Sequence, residues 1–159
     1  MYAPTLQVAS DGQTAPITVE YCHAMNPYIF FKSDQTCSGI TIDNIKGMPI
    51  YKFAEINYCY DFTKLSNIHI NPMYGTTNDV FPGANLRSWM SDNTILFDIP
   101  FSDGFYMEDV LCLGNGVTGV RLGVGGHVNW GHIRGLHLEG YKYPLIIGGI
   151  SEATSISDS

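Results

Sequence analysis

Charge is what this 159-residue chain has least of: Asp, Glu, Lys and Arg together make up only 14% of it. Long surface helices need a charged face, and no stretch of a dozen residues sustains apolar positions three and four apart, so little helix is expected. No apolar run approaches the roughly 20 residues that a membrane-spanning helix requires, and the first residues lack the basic and apolar regions of a signal peptide. No membrane partner is therefore expected. The 8 Lys and Arg are outnumbered by 15 acids, for a net charge of −7. Such a surface repels polyphosphate, which argues against nucleic acid as a partner. The 4 cysteines, Cys22, Cys37, Cys59 and Cys112, are irregularly spaced and form no Cys-x-x-Cys. That favours buried free thiols over a zinc ribbon or a disulfide framework. His127, His132 and His137 are five apart, which places neighbours on opposite faces of one strand, so no metal triad is expected. The Gly-rich run Leu122 to His127 lacks the strand, helix and Lys of a phosphate loop. Neither metal nor cofactor is expected.

What the chain does have is 17 Gly, 8 Pro and 13% aromatics, a mixture suited to short strands and turns. One pattern returns: Ile42-Asp-Asn-Ile-Lys, Leu65-Ser-Asn-Ile-His, Met107-Glu-Asp-Val-Leu and Ile133-Arg-Gly-Leu-His. Its third position is Asn44, Asn67, Asp109 or Gly135, the residue types that best tolerate a left-handed backbone, and a β-branched residue or Leu follows. This reads as a sharp corner leading into a buried strand. The interval from Asn44 to Asn67 nearly equals that from Asp109 to Gly135, while the one between Asn67 and Asp109 is almost twice as long. The two short intervals fit one coil of a solenoid, and the middle one fits a coil carrying an insertion.

The fold class implied is all-β, a segment of right-handed parallel β-helix, with an antiparallel sandwich or jelly roll as the alternative. Stacked coils would bury three rows: Ile42, Leu65, Met107, Ile133; Ile45, Ile68, Val110, Leu136; and Ile70, Cys112, Leu138, with Gly47 interrupting the last. The corner residues would stack their amides and carboxylates. His69 and His137 would share an outward row with Lys46 and Leu111. A second strand per coil is expected near Met48-Pro, Thr118-Gly and Tyr143-Pro. Residues 1–15 read as an extended lead-in, 16–149 as the β-helix, 71–93 as an ordered, aromatic-bearing insertion, and 150–159 as an exposed junction. Pro16 to Cys22 also echoes Glu55 to Cys59.

The segments Gly47-Met-Pro-Ile-Tyr, Ile56-Asn-Tyr-Cys-Tyr-Asp-Phe, Leu65 to Pro72, Gly104-Phe-Tyr-Met-Glu-Asp-Val and Gly119-Val-Arg-Leu resemble the pectate-lyase-like β-helices of polysaccharide-degrading enzymes and phage tailspikes. The chain further resembles the preneck appendage tailspikes of small Bacillus phages. That resemblance implies a homotrimer on the virion beside other virion proteins, attachment to and degradation of cell-wall teichoic acid or polysaccharide at the outside of the host, and a cleaved C-terminal chaperone domain. Two other functions fit the same residues: a free-standing glycoside hydrolase or polysaccharide lyase, and a trimerising stalk without a ligand.

Hydrolysis of a glycan commonly takes two carboxylates across a groove. Asp98, Asp103 and Glu108 follow the insertion and are the catalytic candidates, with Asp109 assigned to the corner. Aromatic faces cover the apolar side of a sugar and Arg grips carboxylate or phosphate, which nominates Arg87, Trp89, Tyr74, Arg121 and Trp130 for substrate binding.

Overall fold

A computed structural model describes residues 4–8, 15–34, 36–72, 83–149 and 154–158. The corner residues adopt the backbone that their chemistry implies: φ is 53° at Asn44, 51° at Asn67, 52° at Asp109 and 63° at Gly135. Tyr21 (55°) and Asp158 (52°) occupy the same place in two further copies. The left-handed corner thus occupies six equivalent positions among the described residues.

Between corners the chain runs as strands: β1 (Leu6–Val8), β2 (Ile17–Glu20), β3 (His23–Met25), β4 (Ile29–Ser33), β5 (Cys37–Met48), β6 (Lys52–Ile56), β7 (Cys59–Ile70), β8 (Ile95–Ile99), β9 (Ser102–Leu122), β10 (Val128–Ile147) and β11 (Thr154–Ser157). Every pairing among them is parallel. That settles a parallel β-solenoid and disposes of the antiparallel sandwich. Ile17 pairs with Ile40, then Thr63, Phe105, Gly131 and Thr154 follow in succession, so the coils are of similar length except for the one between Thr63 and Phe105 that holds the insertion. These make about five turns.

The three inward rows fall in register as expected. Ile42, Leu65, Met107, Ile133, Ile45, Val110, Ile70 and Cys112 are wholly buried. At about 25 cal/mol per Å² of apolar surface, stacking is what stabilises a coil that could not close a core alone. The second side of each coil stacks Phe31, Ala54, Phe97, Val120 and Leu145, beside a ring ladder of Phe30, Phe53 and Phe97 with centroids 5.1 and 5.2 Å apart. The sheet that precedes the corner forms the first face of the solenoid, and this one forms the second face.

The remaining elements complete the stack. The 1–15 lead-in contributes β1, which pairs with Phe31 to Ser33, and the 150–159 junction contributes β11, which pairs with Gly131 to Arg134. Tyr143 does pair with Thr118, but the equivalent strand in the earlier coil starts at Lys52, beyond Met48-Pro. Cys59 lies opposite Cys37, so Cys22, which follows a corner, is not its counterpart. Helix α1 (Gly83–Asn93) occupies the second half of the expected insertion and packs on β9. Met90 is its buried anchor, with Leu86 partly buried beside it. All four cysteines are free.

Candidate functional site: an aromatic face across the coils

Residues on the outer side of the first face are brought together from different coils by register. One row reads Gly39, Phe62, Gly104, Trp130; the next Thr41, Lys64, Tyr106, His132; the third Asp43, Ser66, Glu108, Arg134. Upstream of these, Tyr58 stacks flat on Phe101 (centroids 4.1 Å apart, 5° between planes) and His127 meets the same ring at 4.3 Å. Tyr60 closes on both Tyr58 and Phe101. The glycines seat the rings: Phe62 Cε1 stands 3.3 Å from where a Cβ on Gly39 would be, and Tyr106 Cε2 stands 3.7 Å from that of Gly104. Tyr60, Phe62, Tyr106 and Trp130 remain more than a third exposed, Trp130 by 52%. Phe62, Tyr106 and Trp130 thus present open aromatic surface from three successive coils.

Polar groups are interleaved with the rings. A cleft over Gly104 is walled by Phe62, Tyr106 and Trp130 and edged by Asp61 and Asp103. Asn129 Nδ2 donates to Asp103 Oδ1 at 2.5 Å, which fixes that carboxylate. Next to it, Lys64 and Glu108 share a hollow with Phe62 and Tyr106, and Glu108 faces Arg134 Nη2 at 3.8 Å. A third hollow joins Tyr106 and Trp130 to His132.

Asp103, Glu108 and Trp130 therefore share this face. Asp103 and Glu108 are five positions apart on one strand, about 16 Å along the backbone at roughly 3.3 Å per residue. Asp61, one strand away, lines the same cleft as Asp103.

Asp98, Arg121 and Trp89 stand on the second face. There the outward row Lys32, Glu55, Asp98, Arg121 carries both signs of charge along the stack. Arg121 donates to Asp98 through Nε (2.8 Å to Oδ1) and Nη2 (2.6 Å to Oδ2). Lys52 Nζ adds 2.7 Å contacts to Asp98 Oδ2 and Glu55 Oε2. Burial alone would raise the Asp98 pKa, but donation from Arg121 and Lys52 holds it below the ordinary carboxylate range. Burial would likewise lower Lys52, and Asp98 and Glu55 hold it above its usual value. Tyr51 faces Lys52 Nζ at 5.2 Å and joins Tyr28 and Trp89 in a cluster with 6.0 Å centroid contacts to Trp89. This cluster ties α1 to the stack of coils, and the charges beside it neutralise one another. Arg87 lies half-buried on α1; Tyr74 is outside the described residues.

The corner ridge behaves differently from the expected amide stack. Asn44, Asn67 and Ser66 all donate to Asp43 (2.8, 2.8 and 2.6 Å), one position before the corner. Burial opposes ionisation of Asp43, yet these bonds leave its pKa lowered. Beyond the ridge, Lys46, His69, Leu111 and His137 form the expected row, extended by His23.

Sequence reasoning misses Tyr58, Tyr60, Asp61, Phe62, Phe101 and Tyr106. A signal is present in Asn57-Tyr-Cys-Tyr-Asp-Phe-Thr, where aromatics alternate with the buried Cys59 and a bulge precedes Phe62. Compared with protein-family models, with curated proteins and with solved structures, the chain matches none.

Proposed function

We propose that this β-solenoid binds an extended cell-surface glycan polymer along its first face, as a segment of an attachment protein of the tailspike kind. The observation that carries this reading is the run of open aromatic rings from Tyr60 through Phe62 and Tyr106 to Trp130, interleaved with polar side chains. Flat rings cover the apolar faces of sugars while carboxylate, amide and amine groups satisfy hydroxyls. Rigid strands hold these groups, so little ordering entropy opposes binding. The open rings support binding directly, while Asp98 is occupied by Arg121 and Lys52 on the second face and Asp103 and Glu108 stand five positions apart along β9. Trimerisation, attachment to a virion and a teichoic-acid ligand belong to the same proposal.

Glycan and teichoic-acid arrays, followed by calorimetry on the best ligand, test it. Trp130→Ala and Tyr106→Ala should each weaken binding roughly 10- to 100-fold, about the 1–3 kcal/mol of an exposed stacking contact. Trp89→Ala should leave affinity unchanged. Arrays that stay blank while the protein is folded would overturn the reading in favour of a structural stalk. Light scattering checks the trimer separately: a 17.6 kDa species alone would remove that part.

A further inference from the structure

The proposed ligand can be narrowed by the charges at the Gly104 cleft, an inference that rests on the first face being the binding face. Its walls are the rings of Phe62, Tyr106 and Trp130, with Tyr60 at one end. Its two acidic groups are the carboxylates of Asp61 and Asp103, and among the described residues neither forms an ion pair. Other carboxylates that lie against the two faces are engaged. Asp98 and Glu55 are met by Arg121, Lys52 and Lys32, and Glu108 by Arg134. Asp43 is met by Ser66, Asn44 and Asn67. At the cleft, the amide of Asn129 donates to Asp103 Oδ1, which leaves Oδ2 and the Asp61 carboxylate for a ligand.

Aromatic faces carry a negative quadrupole, and two carboxylates add to that field at the rim of the same hollow. An anionic group would be repelled, and a neutral hydroxyl would gain hydrogen bonds but no charge term. An ammonium group fits both features, its alkyl surface against the rings and its charge beside the acids. Gly104 forms the floor because a side chain there would meet the Asp61 carbonyl oxygen at 3.1 Å and Phe62 Cβ at 3.4 Å.

We propose that this cleft is a subsite for an organic ammonium carried by the ligand, an amino sugar or a choline-like substituent. The test uses choline and its uncharged isostere 3,3-dimethylbutan-1-ol, together with glucosamine oligomers and a neutral gluco-oligosaccharide. Each is titrated against the full chain by calorimetry and by chemical-shift changes of the Trp130 indole. Choline should bind at least about tenfold tighter than the isostere, a preference of about 1.4 kcal/mol, and the preference should shrink as salt is raised. Asp61→Asn with Asp103→Asn should erase the preference and leave isostere binding in place. Trp130→Ala should weaken both ligands, and an unchanged melting temperature certifies each variant as folded. Equal binding of choline and the isostere, or no saturable choline binding, overturns the inference. If neutral oligosaccharide binds as well as the aminated one, the ammonium subsite fails while the glycan reading stands. If choline binds and no oligosaccharide does, the subsite stands and the glycan reading fails. Preference for glucosamine oligomers over choline, or the reverse, identifies which source of ammonium the cleft fits.

Discussion

Replacing Asp98 with Asn separates a structural carboxylate from a catalytic one. Asp98 is 5% exposed and accepts three charge-assisted hydrogen bonds, from Arg121 at 2.8 and 2.6 Å and from Lys52 at 2.7 Å. Losing the charge leaves Lys52, itself 7% exposed, with Glu55 as its remaining acidic partner. Breaking a buried pair on one side costs about 3–5 kcal/mol. The Arg121 side chain is 32% exposed and can rehydrate, so the low end applies, about 3 kcal/mol. At roughly 2–4 °C per kcal/mol for a chain of this size, the melting temperature should fall by about 6–12 °C. Urea denaturation at pH 7 should give the same loss through its midpoint with no change in slope. The pH dependence supplies a second readout. Because the folded pKa is lowered, the Asp98 contribution is complete above its unfolded value near 4 and is lost as pH falls through the folded value. The acid limb of Asp98→Asn should therefore be shallower than that of the parent protein. A fall of under about 1 kcal/mol with an unchanged acid limb would refute this assignment of Asp98. If polymer cleavage were lost at the same time, Asp98 would return as a catalytic residue.

Other outcomes follow from single residues. Tyr21 holds φ of 55° and is 78% exposed, so Tyr21→Asn should relieve about 1 kcal/mol of left-handed strain and raise the melting temperature by a few degrees. A lower melting temperature would mean that the ring contributes packing instead. The Tyr141 hydroxyl is buried without a hydrogen-bond partner among the described residues, and Tyr141→Phe should be neutral or stabilising by up to about 1–2 kcal/mol in denaturant melts. The neighbouring Cys37, more than offsetting burial, lowers the pKa of Cys59, yet the two thiols donate to the Tyr58 and Phe62 carbonyls and both sulfurs are fully buried, whereas Cys22 is partly exposed. Iodoacetamide at pH 8 should therefore label Cys22 first in the native protein and all four thiols only after unfolding; labelling of Cys59 at the Cys22 rate would show that the coils open readily.

The first face also shows why the candidate site residues are harder to read than the scaffold. Asp103 and Glu108 stand out in the sequence as acids that follow the insertion and Trp130 as one of two Trp, and the coils do bring them to one face. Their ring neighbours Phe62 and Tyr106 lie inside segments that read as fold motif, and the outward direction of Phe62 depends on the bulge after Cys59. Asp98 and Arg121 are equally eligible in sequence, but they lie on separate strands and become an ion pair only when β8 lies beside β9. Helix α1 leaves a faint trace, Leu86, Trp89 and Met90 at spacings of three and four, too short to stand out between turn-forming residues.

The chain by itself determined the coil. Asn, Asp or Gly at the corner, an apolar residue two before and a β-branched residue or Leu after it are local preferences, and their recurrence coil after coil sets phase, inward rows and parallel register. Which outward side chains meet was decided only by tertiary structure. Neighbours along the solenoid axis are a whole coil distant in sequence, and one bulge or one insertion changes which of them face each other. Inward positions are selected by burial at every coil, whereas outward positions carry no periodic demand, so the cleft at Gly104 emerged from the stack and from no single stretch of chain.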